Sequence, residues 1–298
     1  MFDQLFDLSL LKELFDWKSA SYVLLAGVLL TVFKYVNGLF SGYQLNKELT
    51  EHDNKAVALS LSGFLFALFI IIHGVLTEPG NWALIDNDYS AWLIDPRDNA
   101  IWSTVGCIYL LLARVINDKL ILPKFSNRKE LIQDRNVGVG IVQAGSYITT
   151  ALIIRATLNG SDIFTLGEEL LLTLIWFTIT QILLIAFTFL YQLSTKYDLH
   201  EELRNDNPAT GVAFAGNMIA IGILLAFYIR TYDSIVGLFI WAAISTLLLC
   251  LVRIIVDKAL LPNQKLDQEI AKDHNWGAGT IEAITAIGSA LIISGSFS

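Results

Sequence analysis

Glu282 lies in an otherwise apolar run, Gly277-x-Gly279-x-x-Glu282, and Gln143 occupies the matching place in Gly138-x-Gly140-x-x-Gln143. A carboxylate in such surroundings must be protonated, paired or wetted, because an unpaired buried charge is expensive. Glu282 is therefore a candidate for carrying a proton or binding a cation, with Gln143 at equivalent depth; holding helices together is the structural alternative. A second polar set opens four of the apolar runs: Asn54, Asn136, Asn207 and Asn275. Asparagine caps helix N-termini, and four such termini converging on one axis would attract an anion. Capping and close packing alone explain the same residues. The histidines His52, His73, His200 and His274 form no ligand cluster, and Cys107 and Cys250 stand alone in apolar runs. No metal, haem or other cofactor is expected. P-loop, dinucleotide-binding, HExxH and GxSxG patterns are absent from the sequence, so no enzyme is expected either.

The elements that must position these residues are membrane spans. Of 298 residues 54% are hydrophobic and only 16% charged, and mean hydropathy is +0.57. A soluble domain carries about 25% charged residues. Runs of ~20 apolar residues cross a bilayer, and eight qualify: about 21–40, 56–76, 100–122, 137–158, 170–193, 209–229, 234–256 and 276–297. Only Arg230, Thr231, Tyr232 and Asp233 separate the sixth from the seventh. The segments 41–55, 117–136, 194–207 and 257–275 hold most of the lysine and arginine, which places them in the cytoplasm and both termini outside. Residues 1–20, with Phe2, Leu5, Phe6, Leu10, Leu14 and Trp17, read as an amphipathic surface helix rather than a signal peptide. The outer loop 78–99, carrying Trp82 and Trp92 among acidic residues, reads as a flap on the interface or an acidic mouth. His73 and Arg155 sit near outer helix ends, where they snorkel.

The cytoplasmic segments repeat one another. They read Glu48-Leu49…Asn54-x-Ala56-x-Ala58, Glu130-Leu131…Asn136-x-Gly138-x-Gly140, Glu202-Leu203…Asn207-x-Ala209-x-Gly211 and Glu269-Ile270…Asn275-x-Gly277-x-Gly279. Small residues follow four positions on, at Ser62, Ala144, Ala215 and Ala283, giving each helix a face that allows close approach. The second and fourth copies share more: Arg114, Asp118 and Pro123 match Arg253, Asp257 and Pro262, each Arg–Asp pair being spaced i,i+4. The expected architecture is an all-α polytopic membrane protein of eight transmembrane helices. It is read as two parallel four-helix repeats (21–160 and 161–298, after the segment 1–20) related by a pseudo-twofold axis along the membrane normal.

At Asp134-Arg-Asn-Val-Gly-Val-Gly-Ile-Val-Gln-Ala-Gly-Ser146 and Asn207-Pro-Ala-Thr-Gly-Val-Ala-Phe-Ala-Gly216 the sequence resembles the YjfL-like bacterial inner-membrane family, whose members are four-helix proteins of unknown function. The resemblance implies a tandem duplication in the bacterial inner membrane; the fourth copy departs from it, with Trp276 and Glu282 in place of Val137 and Gln143. It supplies no activity.

Two functions remain open. One is a channel or transporter for small ions or solutes, with a path between the repeats past Glu282, Gln143 and the four asparagines. The other is an envelope scaffold that recruits a cytoplasmic protein through its acidic amphipathic loops. Expected partners are the lipid bilayer, then small ions or a cytoplasmic protein, with room for a homo-oligomer. The net charge of −8 excludes nucleic acid.

Overall fold

A computed structural model describes residues 17–77, 91–121, 124, 126–158, 166–232, 234–261 and 264–297. Among them all regular structure is helical. The long helices are α1 (Trp17–Ser41), α3 (Lys55–Thr77), α4 (Ala91–Ile116), α6 (Val137–Thr157), α7 (Leu166–Ser194), α9 (Pro208–Thr231), α10 (Ile235–Ile255) and α12 (Trp276–Ser296). All eight are long and apolar enough to span a membrane. One π-helical turn extends α4 (Asn117–Ile121) and another α10 (Val256–Leu260). Four six-residue helices lie in the cytoplasmic segments of the sequence reading: α2 (Leu45–Thr50), α5 (Asn127–Ile132), α8 (Leu199–Arg204) and α11 (Leu266–Ala271).

The sixth and seventh spans are separate helices. Helix α9 ends at Thr231, and Ser234 caps α10 by accepting from Gly237 N at 3.1 Å. Residues 91–99, expected as loop, continue α4 instead. The rest of the 78–99 flap and residues 1–16 of the N-terminal surface helix lie outside the described residues; residues 17–20 form the start of α1.

The helices that begin at the asparagines form the core. Helix α3 packs on α6, α6 on α9, and α9 on α12, while α1, α4, α7 and α10 lie against this row. Burial follows: 72% and 78% of the apolar windows of α6 and α9 are buried, against 17% and 22% for α1 and α10. The peripheral helices expose Val23, Leu24, Phe189, Ile240 and Leu247, as lipid-facing helices do.

The row is made by one contact used three times. A Cβ on Gly63 would meet Ala144 Cα at 2.3 Å, one on Gly145 would meet Ala215 Cβ at 2.7 Å, and one on Gly216 would meet Ala283 Cβ at 2.2 Å. One turn lower, a Cβ on Gly140 would meet Ala56 O at 2.5 Å, on Gly211 Gly138 O at 2.7 Å, and on Gly279 Ala209 O at 2.4 Å. With no hydrophobic drive between helices in lipid, backbone approach of this kind is what holds spans together. Of the two readings of the asparagines, convergence on one axis and local capping with close packing, the contacts match the second, as a series. A closed twofold arrangement would add an α12–α3 contact equivalent to α6–α9, but α3 and α12 are the ends of the row.

Candidate functional site

Each row helix starts from the same turn. The residue before its asparagine is left-handed in all four copies: Asp53 (φ 47°), Arg135 (φ 52°), Asp206 (φ 53°) and His274 (φ 48°). Helix C-termini commonly close this way, usually on glycine. The turn brings the asparagine N–H back to the carbonyl of a glutamate, the fourth residue of the short helix: Asn54 to Glu48 (3.0 Å), Asn136 to Glu130 (2.9 Å), Asn207 to Glu202 (3.1 Å) and Asn275 to Glu269 (2.8 Å).

The asparagine side chains are thereby aimed three ways. Asn136 Oδ1 caps α6 by accepting from Val139 N (2.9 Å), while its Nδ2 donates to Glu130 Oε2 (3.0 Å) and to the Leu203 carbonyl of the next copy (2.5 Å). Asn54 repeats this with Val57 N, Glu48 Oε2 and Leu131 O, and Asn207 with Ala209 N, Glu202 Oε2 and Ile270 O. In the last copy Asn275 donates to Glu269 Oε2 at 2.7 Å and caps Ala278 N, without a next copy to reach. A further bond crosses from copy two to copy three, Val137 N donating to Asp206 Oδ1 at 2.8 Å. The four capped N-termini are thus spread along a row, not gathered on an axis, and their asparagines are committed to protein groups. Burial raises the Glu48 carboxyl, but hydrogen bonds from Asn54 and His52 outweigh it and hold it below its ordinary value.

Gln143 and Glu282 occupy separate clusters, one in each half, with α9 between α6 and α12. Gln143, 1% exposed, accepts from Ser60 Oγ at 2.7 Å and donates to Asp118 Oδ1 at 3.3 Å. Asp118 also accepts from Asn127 Nδ2 at 2.6 Å, and Arg114 donates to Asn37 Oδ1 at 3.2 Å. Glu282, likewise 1% exposed, is paired: its Oε1 receives hydrogen bonds from Arg253 Nε, Tyr191 OH and Asn217 Nδ2, each at 3.0 Å. Arg253 also donates to Asp267 Oδ1 (2.6 Å) and to the Ser194 carbonyl (3.0 Å). The i,i+4 partner expected for it, Asp257, instead accepts from Leu266 N at 2.7 Å. Three donors converge on one carboxylate oxygen, one of them a guanidinium, and fix the side chain in place. Beside the cluster a cavity of about 10 Å³, room for about one water, is lined by Tyr191, Asn217, Cys250 and Arg253 among others. Among the described residues no group of histidine, cysteine and carboxylate side chains is placed to hold a metal.

The partners of Glu282 were not foreseen from sequence. Arg253 carried a signal, since it stands in the copy-two/copy-four match with Arg114; Tyr191 and Asn217 carried only their polarity within apolar runs.

The repeat that the geometry displays is also what relates this chain to others. The model of the Domain of Unknown Function DUF350 matches twice in tandem, over residues 9–158 and 165–297. The chain belongs to the DUF350 family. A UPF0719 transmembrane protein of Aquifex aeolicus (strain VF5) is 22% identical over 288 residues, covering 90% of this chain and 98% of that one. The UPF0719 transmembrane protein YshE of Bacillus subtilis (strain 168) is 25% identical over 127 residues, covering 43% of this chain and 93% of its own. No solved structure matches. An uncharacterised membrane family in tandem is what the sequence led us to expect, though these relatives are named UPF0719 and not YjfL-like. This is a multi-pass membrane protein of a family without an assigned function.

Proposed function

We propose that the protein is a structural, non-conducting and non-enzymatic element of the bacterial inner membrane, with both termini on the outer side. The observation that carries this reading is the contact between the halves. A solute path between the repeats would run between α6 and α9, and there the backbones meet at glycine distance, at Gly138 against Gly211 and Gly145 against Ala215. Most polar groups that such a path would use are engaged in joining helices: Asn54, Asn136 and Asn207 to neighbouring copies, Gln143 to Ser60 and Asp118, and Glu282 Oε1 to Arg253, while Asn275 bonds within its own copy and Glu282 Oε2 is buried without a partner. The motif glutamates face inward onto the asparagines, so a cytoplasmic protein would meet a mixed-charge surface that includes Lys47, Arg128, Lys129, Glu201, Arg204 and Lys272. The test is flux through purified protein in liposomes across a panel of monovalent and divalent ions. Leakage no faster than from empty liposomes is expected; selective flux overturns the reading.

Small-ion transport is the second reading, favoured by the cavity beside Arg253, Asn217 and Tyr191. On that reading Glu282→Gln retains the fold, since Gln143 already stands at the equivalent place, and changes flux or its pH dependence. Unchanged flux and pH profile in a folded Glu282→Gln protein would remove it.

A further inference from the structure

We propose that the helix row is sealed at both ends, by Phe69 and by Ile284, so that its end faces are seats for lipid acyl chains and the chain does not join head to tail with a second copy. An interface in which copy after copy presents one face and receives on the other is open-ended: nothing in its geometry stops a fifth copy, from a second chain, from following the fourth. Repeat arrays end instead on copies whose outer face has been altered.

Counting from each asparagine shows that alteration. The ninth position, which presses on the next copy, is Gly63, Gly145 and Gly216 in the three copies that have a next copy, and Ile284 in the one that does not. The fifteenth position lies on the receiving face. It is Ala151, Gly222 and Ala290 in the three copies that have a preceding copy, all buried, and a Cβ on Gly222 would meet Thr149 Cγ2 at 2.7 Å. In the first copy it is Phe69, 52% exposed. Ile284 is 64% exposed. At the ninth position even a methyl group would strike the neighbour's backbone or Cβ at 2.2–2.7 Å, so an isoleucine bars the seat. Each exception falls at an end of the row and on the face that is bare there. Both side chains are apolar and large, as a lipid-facing position favours.

The test uses the full chain, with Cys107→Ser and Cys250→Ser, in native membranes. Because Val137 N bonds to Asp206 Oδ1 across an internal contact, the equivalent residues of a head-to-tail pair are Trp276 of one chain and Asp53 of the next. Trp276→Cys with Asp53→Cys, treated with a short bis-maleimide, should stay at monomer size. Adding Ile284→Gly and Phe69→Ala should convert the monomer band into a ladder of crosslinked chains. A Val137→Cys, Asp206→Cys pair in the same uncapped background reports, by crosslinking within one chain, that the row is folded; Ile284→Gly with Phe69→Ser, both at exposed sites, serves if the first double change unfolds it. A ladder in the capped chain, or none in a folded uncapped chain, overturns the proposal.

Discussion

Asn136→Ala and Asn275→Ala are the same substitution at equivalent places in the repeat, and the structure makes them unequal. At Asn136, 1% exposed, the change removes a helix cap, leaves the buried Glu130 carboxylate without the Asn136 donor and takes from the Leu203 carbonyl its bond between copies, Asp206 N remaining on that oxygen at 3.2 Å. Loss of an N-cap costs about 1 kcal/mol, and a buried acceptor left unsatisfied about 1–3 kcal/mol. The Glu130 carboxylate, on a residue 4% exposed, therefore adds about 2 kcal/mol, for a total near 3 kcal/mol. Asn275 is exposed and reaches no neighbouring copy among the described residues, so water replaces its bond to Glu269 and only the cap is lost, about 1 kcal/mol. Asn136→Ser, which retains a capping oxygen on a shorter side chain, should fall between. The measurement is reversible unfolding in mixed detergent–SDS micelles, with Asn54→Ala and Asn207→Ala expected to follow Asn136→Ala. If Asn136→Ala and Asn275→Ala agree to within about 0.5 kcal/mol, the scatter expected of independent sites, the buried bonds of Asn136 contribute nothing and the reasoning fails.

Gly140→Leu and Gly279→Leu should each destabilise by at least ~1–3 kcal/mol by overpacking, whereas Gly288→Leu, which meets open space, should be near neutral in the same unfolding assay. Arg253→Ala should be severe, on the order of 3–5 kcal/mol, because it strands a buried carboxylate; pairing it with Glu282→Gln should recover part of the loss, and an additive double mutant would refute the pair. Burial holds the His200 ring below its ordinary value of 6.5, keeping it neutral with Nε2 against the Ile121 carbonyl at 3.0 Å. A depressed histidine is stabilising above its unfolded value, and the contribution is lost as the pH falls from there towards the folded value. The melting temperature should therefore drop on acidification below about pH 6.5 and drop less in His200→Asn; identical slopes would refute the assignment. For the proposed orientation, a cysteine at Ser126 should label only from the cytoplasmic side and one at Ser90 only from outside.

The eight spans were legible because lipid demands long apolar runs whatever they pack against. The small faces and the asparagine caps were legible because they recur at fixed spacing. What the sequence reading left open was the order of contact. A small residue shows that some backbone comes close, but not whose, so packing in a row and convergence of the four N-termini on one axis stood side by side. The series was nevertheless written at the ninth and fifteenth positions, where glycine and alanine give way to Ile284 and Phe69. The glutamate of each copy was noticed as a repeat without its role, because its bond to an asparagine five or six residues away requires the left-handed turn between them. That turn is made by Asp53, Arg135, Asp206 and His274, none of them glycine, so no residue type announced it. The Arg253–Glu282 pair joins helices 29 residues apart in sequence, a separation that spacing rules on a single helix do not reach.

A series of identical contacts explains why the interface between the two matched halves carries no special chemistry. Gly145 against Ala215, across the halves, is the same contact as Gly63 against Ala144 within the first and Gly216 against Ala283 within the second. Joining two four-helix units in this way requires no new surface; it requires only that the junction carry glycine at the ninth position and a small residue at the fifteenth, as Gly145 and Gly222 do. The two halves then differ where the row does not constrain them, and the largest chemical difference is the exchange of Gln143 for Glu282 with Arg253 drawn in beside it. A neutral amide joined to Asp118 in one half and an ion pair in the other are two solutions to one problem, satisfying a polar group at the same depth between the row and its flanking helix. On that account Gln143→Glu should destabilise the protein, because Arg114 is already engaged with Asn37 and the new carboxylate would sit against Asp118. Glu282→Gln should cost less, leaving Arg253 with Asp267 and the Ser194 carbonyl. Unfolding curves for the two variants, measured side by side, would refute the account if Gln143→Glu proved the milder change.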